Sequence, residues 1–267
     1  MGKSGGVKCK TLVYSLLLLA GLALPQTSQV VVIAHRGEHL RHPENTLPAY
    51  QSAIGLGVDF IEVDVRTTAD GHLVVMHDSA VDSRTDGQGA IAKMTLKEIR
   101  ALDAGIKFAP QFTGARVPTF DEVLDLVRGR IGIYIDAKQV SAADLVAALD
   151  RRQMREKVVV YGGLPLLKEI AALAPRAKVM PEAVSPATLR AAVEALRPRV
   201  IAFYARDFTD DLIALAKKTG AGIYVDRLGP ADTPAVWQDA IDRGATGIQT
   251  DRPAALLNYL RAKGYHR

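Results

Sequence analysis

Cysteine is almost absent from this chain of 267 residues, which contains only Cys9. A single cysteine excludes a disulfide scaffold, because it has no partner within the chain. From residue 30 onward there is no low-complexity stretch, charge block or Gly/Ser linker, so no domain boundary is predicted. With 48% hydrophobic and 24% charged residues, the composition excludes disordered and collagen-like classes and supplies enough apolar material for a buried core.

The net charge of +5 would suggest an acidic partner such as nucleic acid, but the position of the charges argues against one. Three lysines among the first ten residues precede an apolar run from Thr11 to Leu24. This layout is typical of a secretory signal peptide, and the run is shorter than the ~20 residues of a transmembrane helix. Cleavage after Ala23 would lower the charge to +2. We therefore expect residues 1–23 to be a signal peptide and the protein to be periplasmic or extracellular, with an uncleaved N-terminal anchor as the alternative.

Short apolar or β-branched runs alternate with segments of helical spacing along the rest of the chain. Because parallel strands need a crossover that is usually helical, this alternation predicts a parallel sheet. The predicted strands are Val30–Ala34, Phe60–Val65, Ile131–Ile135, Val158–Tyr161, Lys178–Met180, Val200–Tyr204, Gly222–Val225 and Thr246–Thr250. The predicted helices are Thr46–Leu56, Thr119–Val127, Ala142–Leu149, Leu166–Leu173, Pro186–Leu196, Asp210–Lys218 and Pro234–Asp242. Eight strands in about 240 residues predict an α/β fold, a (β/α)8 TIM barrel over residues 30–267, with a doubly wound open sheet as the alternative.

One further apolar run, Leu73–Met76, follows the second strand too closely for a helical crossover. The Asp-Gly dipeptide between the two runs is typical of a two-residue β-hairpin turn. Such a turn would place Asp64 directly opposite His77, with Glu62 on the same face as Asp64. A hairpin at this position would therefore gather two carboxylates and an imidazole on one surface.

Residues 79–118 lack the alternation of strands and helices. We expect them to form a small insertion after the hairpin, with a short helix near Leu96–Leu102. In a barrel, long loops at the carboxyl ends of the strands shape the functional site.

Charged side chains suited to a metal ion and a phosphate follow the predicted strands. Glu62 and Asp64 lie two residues apart on the second strand, and Asp136 and Lys138 do so after the third. Carboxylate oxygens suit Mg²⁺ or Ca²⁺, so one divalent metal ion is the expected cofactor. Arg36 and Lys138 can neutralise charge that develops at phosphorus. Taken alone, Glu62 and Asp64 would also fit a solvated strand face. Asp136 and Lys138 would also fit an interior ion pair.

Several motifs together closely resemble the signature of the glycerophosphodiester phosphodiesterase family, within the superfamily of phosphatidylinositol-specific phospholipase C-like phosphodiesterases. The motifs are His35-Arg36-Gly37, Pro43-Glu44-Asn45-Thr46, Glu62-Val63-Asp64-Val65, Val75-Met76-His77-Asp78 and Thr250-Asp251-Arg252-Pro253. They occur in order along nearly the whole predicted domain. The resemblance implies a metal-bearing TIM barrel with an insertion after the histidine-aspartate motif. It also implies hydrolysis of glycerophosphodiesters to glycerol 3-phosphate and an alcohol.

The resemblance implies a role for each matching residue. His35 and His77 are the implied general acid and base, with the assignment between them left open. Glu62 and Asp64 are the implied metal ligands, and Arg36 is the implied phosphate-binding residue. This arrangement suggests two mechanisms. In one, a glycerol hydroxyl group attacks phosphorus and gives a cyclic phosphate; in the other, water attacks phosphorus directly.

Two positions depart from the family pattern. The third metal ligand of the family is commonly a glutamate two residues before a lysine, whereas Asp136 stands here before Lys138. Related sphingomyelinase D enzymes can have aspartate at this place. Many members carry Trp-Thr-Val-Asn where this chain has Ile-Tyr-Val-Asp, so Tyr224 is the expected aromatic contact for the glycerol or alcohol moiety.

Two alternatives in function stay open. One is a sphingomyelinase D-like or phospholipase-like enzyme that acts on lipid, and the other is a non-catalytic barrel that binds a phosphorylated ligand. The expected partner is a small-molecule phosphodiester and not a nucleic acid. Membrane contact is expected only through the N-terminal segment, and no oligomeric state is predicted.

Overall fold

The computed structural model of the protein describes residues 1–2 and 29–267. Almost all of the predicted signal peptide, including the expected cleavage position at Ala23, lies outside the described residues. No helix in the described ranges has the length and apolar character needed to cross a bilayer.

The sheet of residues 29–267 contains a nearly closed ring of parallel strands. Its members are Val31–Ala34 (β1), Phe60–Thr67 (β2), Leu73–Val75 (β3), Gly132–Gln139 (β4), Val158–Tyr161 (β5), Lys178–Met180 (β6), Val200–Phe203 (β7), Gly222–Arg227 (β8) and Gly247–Thr250 (β9). All but β3 are parallel and follow the order β6-β5-β4-β2-β1-β9-β8-β7. The two ends of this order meet where Ala202 N donates to Pro181 O at 2.9 Å. This TIM barrel confirms the predicted fold class and excludes the doubly wound open sheet.

Helices between the strands surround the barrel. They are Leu47–Leu56 (α1), Leu96–Ala101 (α2), Phe120–Val127 (α3), Ala142–Arg151 (α4), Leu164–Leu173 (α5), Pro186–Leu196 (α6), Asp210–Lys217 (α7), Pro234–Asp242 (α8) and Pro253–Lys263 (α9). Capping boxes at Thr119 and Ser185 begin α3 and α6 by satisfying free backbone N–H groups. The seven predicted helices and the short helix near residue 96 are confirmed. The C-terminal helix α9 was not predicted, although it begins at a proline and buries Leu256 and Leu260.

The alternation of side chains along each strand divides the apolar residues into two clusters. Outward residues such as Val32, Ile61 and Ile135 pack in the main core against the helices. Inward residues such as Ile33 and Tyr134 form a separate cluster that fills the barrel. The inward polar residues of β2 and β4 lie above this apolar filling, at the carboxyl ends of the strands, where sites of this fold are built.

The strands β2 and β3 form a hairpin, but its register differs by one residue from the predicted register. Val65 pairs with Val75, and Met76 N donates to Asp64 O at 2.9 Å. Asp64 therefore lies opposite Met76, and the predicted pairing of Asp64 with His77 is wrong. A change of one residue in register moves a side chain to the other face of the strand, so His77 must reach the site by another route.

The turn of this hairpin accounts for the change in register. Its loop has three residues, Ala69–Gly71, and is closed by Thr68 N, which donates to His72 O at 2.9 Å. Only Gly71 in the loop has positive φ, at +83°, whereas a two-residue type I′ turn needs positive φ at both central residues. Asp70 uses its carboxylate to accept a hydrogen bond from Thr68 Oγ1 at 2.6 Å.

Residues 79–118 carry a small apolar cluster that is distinct from the barrel core. Val81 and Ile91 are buried in it, together with Val74 and Met76 from the hairpin. This packing fixes the segment beside the carboxyl end of β2, so its loops lie at the same edge of the barrel as the charged residues.

Candidate active site

Three carboxylates meet at the carboxyl ends of β2 and β4. Glu62 and Asp64 lie two residues apart on β2, and Asp64 is paired in register with Asp136 of β4. One oxygen of each carboxylate lies within 4.8 Å of the other two. The structure therefore brings together the three residues predicted as metal ligands, which we call the carboxylate cluster.

Two neighbouring donors hold the carboxylate cluster in place. Lys138 Nζ lies 2.6 Å from Asp136 Oδ2 and 3.4 Å from Asp64 Oδ1. The side-chain amide of Asn45 donates to Asp64 Oδ2 at 2.8 Å. Although burial lowers it, the carboxylates of Asp136 and Asp64 keep the pKa of Lys138 above its ordinary value, so the ammonium stays charged beside them.

Burial makes the cluster unfavourable as three free anions. Glu62 and Asp64 are 2% and 1% exposed. Burial, together with the charges of Asp64 and Asp136, raises the pKa of Glu62 well above its usual range. Burial also raises the pKa of Asp136, against the opposing effect of Lys138. A cation bound among the three groups would favour their ionised forms.

The donor set of the carboxylate cluster fits a divalent cation. Carboxylate oxygens are the hard ligands that Mg²⁺ and Ca²⁺ prefer. The spacing within 4.8 Å allows one ion to contact Glu62, Asp64 and Asp136 together. The excess of buried negative charge gives such an ion an electrostatic reason to bind.

The loop after β1 owes its shape to left-handed backbone conformations. Arg36 and Asn45 have φ of +53° and +55°, and Gly37 has φ of +83°. A Cβ on Gly37 would lie 2.8 Å from the backbone carbon of Ala49, so only glycine fits there. Tyr50 Oη donates to Asn45 Oδ1 at 2.7 Å and thereby leaves the Asn45 amide to face the carboxylate cluster.

Arg36 presents a cation beside the carboxylate cluster. Its backbone N–H donates to Glu62 Oε2 at 2.8 Å, and its Nη1 donates to Glu44 Oε1 at 2.9 Å. Its Nε is buried and lies 3.7 Å from Asp64 Oδ2, without a hydrogen-bond partner among the described residues. A buried N–H donor without a partner is costly, and an anionic phosphate oxygen is a suitable acceptor for it.

His35 at the end of β1 is paired with Asp251 at the end of β9. His35 Nδ1 lies 2.7 Å from Asp251 Oδ1, and because an ionised carboxylate only accepts, Nδ1 carries the proton and Nε2 is free. Asp251 is itself held by Gly229 N, which donates to its Oδ2 at 2.7 Å, and by the buried Asp232, which accepts its backbone N–H at 2.8 Å. Burial lowers the pKa of His35, although the bond to Asp251 opposes this effect.

His77 forms a second histidine–aspartate pair. Its Nδ1 lies 2.8 Å from Asp78 Oδ1, and Ser83 Oγ donates to Asp78 Oδ2 at 2.5 Å. Arg66 donates to the backbone carbonyl of His77 at 2.5 Å and so ties this residue to β2. A positive charge on His77 would oppose the rise that burial causes in the pKa of Asp136, so these two side chains lie near each other. The site therefore has one histidine just after β1 and another just after β3, each paired with an aspartate.

Tyr224 is not brought together with the carboxylate cluster. A Cβ placed on Gly247, at the start of β9, would lie 2.5 Å from the Tyr224 ring, which places this ring low in the barrel. Burial, with the charge of Asp59 at the opening of β2, raises the pKa of Tyr224 to about 12. The contact of Tyr224 with substrate stays a prediction. Tyr161 and Tyr204 line a small cavity together with Tyr224, and they also line a groove of about 530 Å³ beside Asp136 and Lys138.

Sequence reasoning missed the groups that orient the two histidines. Asp78 and Asp251 stand within the quoted motifs, but no role was inferred for either of them. Asn45 and Glu44, which contact Asp64 and Arg36, also stand within a quoted motif, and neither was predicted as a site residue. The only signal in the sequence was that both aspartates belong to the quoted motifs. Distance along the chain does not show which histidine an aspartate contacts, because Asp78 is adjacent to its partner and Asp251 is far from its own.

Comparison with known proteins gives this site a context. The model of the glycerophosphoryl diester phosphodiesterase family matches residues 35–255. The chain is 35% identical over 250 residues to a glycerophosphodiester phosphodiesterase of Caldanaerobacter subterraneus subsp. tengcongensis. The alignment covers 88% of this chain and 100% of that relative. Every predicted site residue falls within the matched range.

Solved structures show the same architecture. A glycerophosphodiester phosphodiesterase from Agrobacterium tumefaciens str. C58 superposes with a TM-score of 0.75 at 31% identity, over 85% of this chain and 98% of that one. An Oleispira antarctica phosphodiesterase in complex with the product sn-glycerol-3-phosphate has a TM-score of 0.80 at 22% identity, over 87% and 97% of the two chains. The latter similarity bears on the fold alone.

Divalent-metal affinity should increase with pH. In the metal-free protein Glu62 has a raised pKa and holds its proton more tightly than usual, so a metal ion must displace that proton. The apparent affinity for Mg²⁺ or Ca²⁺ should therefore weaken as pH falls through the raised pKa. Isothermal titration calorimetry in buffers of different ionisation enthalpy should detect the released proton, and Glu62→Gln should weaken binding at least about tenfold.

The control for this measurement is Glu182→Gln, because Glu182 lines the groove but does not belong to the carboxylate cluster. Its affinity and proton release should equal those of the unmodified protein. A metal affinity that is independent of pH between mildly acidic and neutral conditions, or that Glu62→Gln leaves unchanged, would contradict the prediction.

Asp251→Asn should lower the pKa of His35 further. The hydrogen bond and charge of Asp251 raise this pKa, so their removal leaves burial and the charge of Arg36 to lower it. Nitrogen-15 NMR of the imidazole ring should show titration at lower pH and a loss of the preference for the proton on Nδ1. The matched control is Asp78→Asn, which alters the other pair and should leave the His35 titration in place. An unchanged or raised pKa in Asp251→Asn would refute the assignment.

Proposed function

Since this chain belongs to the glycerophosphoryl diester phosphodiesterase family and is an enzyme of that class, we propose that it hydrolyses glycerophosphodiesters to glycerol 3-phosphate and an alcohol by histidine acid/base catalysis at a divalent-metal site. The observation that carries the proposal is the presence of two histidine–aspartate pairs at the end of the barrel that also holds the carboxylate cluster. A protein that only binds a phosphorylated ligand has no need of two such pairs.

His35 and His77 exchange protons with the substrate in this proposal. Each ring has its Nδ1 against an aspartate, so each Nε2 is free for proton transfer. One ring accepts the proton of the attacking hydroxyl group, and the other donates a proton to the departing alcohol oxygen. Because the burial-lowered pKa of His35 favours its neutral form, this ring is suited to accept the first proton.

The cations of the site bind the phosphate. Arg36 Nε is an unsatisfied buried donor, and Lys138 lies within 3.4 Å of Asp64 at the edge of the groove. Both can contact nonbridging phosphate oxygens and stabilise the charge that grows on them in the transition state. Asp251 and Asp78 keep the imidazole rings in the tautomer and orientation that proton transfer requires.

The metal ion would be held by Glu62, Asp64 and Asp136. When bound, it supplies Lewis-acid polarisation of a phosphate oxygen and of a nearby hydroxyl group. The carboxylates serve this purpose because their buried negative charge exceeds what Arg36 and Lys138 compensate.

His35→Ala and His77→Ala should each reduce kcat for glycerophosphodiesters by about 10²–10⁴-fold, because each removes one proton-transfer group. The assay follows release of glycerol 3-phosphate from glycerophosphocholine, glycerophosphoethanolamine and glycerophosphoinositol with Mg²⁺ or Ca²⁺ present. A cyclic 1,2-phosphate among early products would identify attack by the glycerol hydroxyl, whereas its absence under rapid quench would identify attack by water.

The matched control is His72→Ala, since His72 is exposed at the hairpin turn. It should retain normal kcat, and circular dichroism should show the fold in all three variants. Near-normal turnover in either His35→Ala or His77→Ala would falsify the acid/base roles.

Exposed apolar side chains favour one second candidate, an enzyme that acts on lipid. Leu40, Ile106 and Phe108 are 56%, 47% and 42% exposed, and Phe108 shares a pocket with His39 near the site. Lysophospholipids and vesicles belong in the same substrate panel. Faster turnover of these than of deacylated diesters would favour the lipid candidate.

We also propose that the protein is exported, with residues 1–23 as a signal peptide. Support comes from the three lysines and the apolar run that follows them. N-terminal sequencing of protein recovered from the periplasm or medium should begin at Leu24. Recovery of Met1 in a membrane fraction would instead support an uncleaved anchor.

A further inference from the structure

Outside the carboxylate cluster, a second group of metal-ligand side chains converges at the mouth of the barrel. Among the described residues, His35, His39 and Asp251 have ligand atoms that all lie within 4.8 Å of one another. His35 Nδ1 lies 2.7 Å from Asp251 Oδ1, and His39 Nε2 lies 3.4 Å from the same oxygen. Two imidazole nitrogens therefore lie close to one carboxylate oxygen.

The orientation of His39 is informative. Its Nδ1 lies 2.7 Å from the backbone carbonyl oxygen of His35, which only accepts, so Nδ1 carries a proton. In the neutral ring, Nε2 then directs a lone pair at the carboxylate of Asp251. Two electron-rich atoms at this separation repel each other unless a proton or a metal ion lies between them. A ring whose other nitrogen donates to a backbone carbonyl is also the usual arrangement of a metal-bound histidine.

The surroundings hold these ligands in place. Asp251 Oδ2 accepts a hydrogen bond from Gly229 N at 2.7 Å, which leaves Oδ1 for the two imidazole rings. The backbone N–H of Asp251 donates to Asp232, which is fully buried. The three ligand side chains are 15–17% exposed, so an ion can reach them from solvent.

The donor types distinguish this group from the carboxylate cluster. Imidazole nitrogen suits Zn²⁺, Co²⁺, Ni²⁺ and Cu²⁺, whereas the all-oxygen set of Glu62, Asp64 and Asp136 suits Mg²⁺ and Ca²⁺. Bonds of about 2.0–2.1 Å in a tetrahedral site separate ligands by roughly 3.3 Å. The observed separations of 2.7 and 3.4 Å lie on either side of that value, so small side-chain movements suffice.

We propose that His35, His39 and Asp251 form a second, inhibitory metal site that takes a transition-metal ion such as Zn²⁺. The ion bonds to His35 Nδ1 and replaces its contact with Asp251. The Nδ1 proton passes through solvent to Nε2, so the ring stays neutral but has no free nitrogen left to accept a proton. The inhibition, though not the binding, rests on the proposed role of His35 in proton transfer.

Binding is tested by Co²⁺ titration of the full chain with excess Mg²⁺ present to occupy the carboxylate cluster. Visible d–d absorption of Co²⁺ reports nitrogen and oxygen ligands independently of activity. We expect one equivalent of this absorption in the unmodified protein and in Glu62→Gln, and its loss in His39→Gln. Absorption that persists in His39→Gln, or that disappears in Glu62→Gln, overturns the site.

The matched control is His42→Gln, because His42 lies in the same loop but contacts Glu38 instead of Asp251. This variant should bind Co²⁺ as the unmodified protein does. Loss of the absorption in His42→Gln as well would overturn the assignment to His39.

Inhibition is tested by Zn²⁺ titration of phosphodiesterase activity at fixed Mg²⁺. In His39→Gln we expect basal activity within about twofold of the unmodified protein and a half-inhibitory Zn²⁺ concentration at least tenfold higher. Equal Zn²⁺ sensitivity in the two proteins overturns the inhibitory role. An inactive protein that still gives the Co²⁺ absorption would refute the proposed function while supporting the metal site.

Discussion

Crowding of three carboxylates, two of them buried, at the ends of β2 and β4 is the constraint on which the mouth of the barrel depends. Glu62, Asp64 and Asp136 lie close enough to repel one another, and burial raises the pKa values of Glu62 and Asp136. Arg36 and Lys138 compensate part of this charge, and a divalent cation would compensate the rest. The same excess of negative charge therefore explains why two cations lie here and why the site would accept a metal ion.

Barrel closure assembles the other half of the site. His35 follows β1 and Asp251 follows β9. The two residues are 216 positions apart in sequence, but their strands are neighbours in the sheet. Their contact exists only because the first and last strands pair. His77 has its orienting carboxylate, Asp78, next to it in sequence and depends on the hairpin and on Arg66 for its position. The two histidine–aspartate pairs thus reach the same centre by different structural means.

The sequence predicted the elements and the carboxylate cluster well, because both follow from local periodicity. A spacing of two places Glu62 with Asp64 on one strand face, and parallel register then aligns Asp136 with them. The hairpin register was predicted wrongly, since the Asp-Gly rule considers the turn alone. In the folded protein the Asp70 carboxylate also accepts the backbone N–H of Leu96, at 3.0 Å, which a local rule does not include.

Residue type and spacing determine the positions of the strands and helices and the shared face of Glu62 and Asp64. These features depend on neighbours within a few positions. Residue type and spacing do not determine the partner of each histidine, the low position of Tyr224 or the contact of His39 with Asp251. These features join residues that are distant in the chain, and their distances are set by how the strands close into a barrel and how the loops pack at its mouth. Chemistry that needs atoms within about 3 Å of one another therefore becomes visible only in the folded chain.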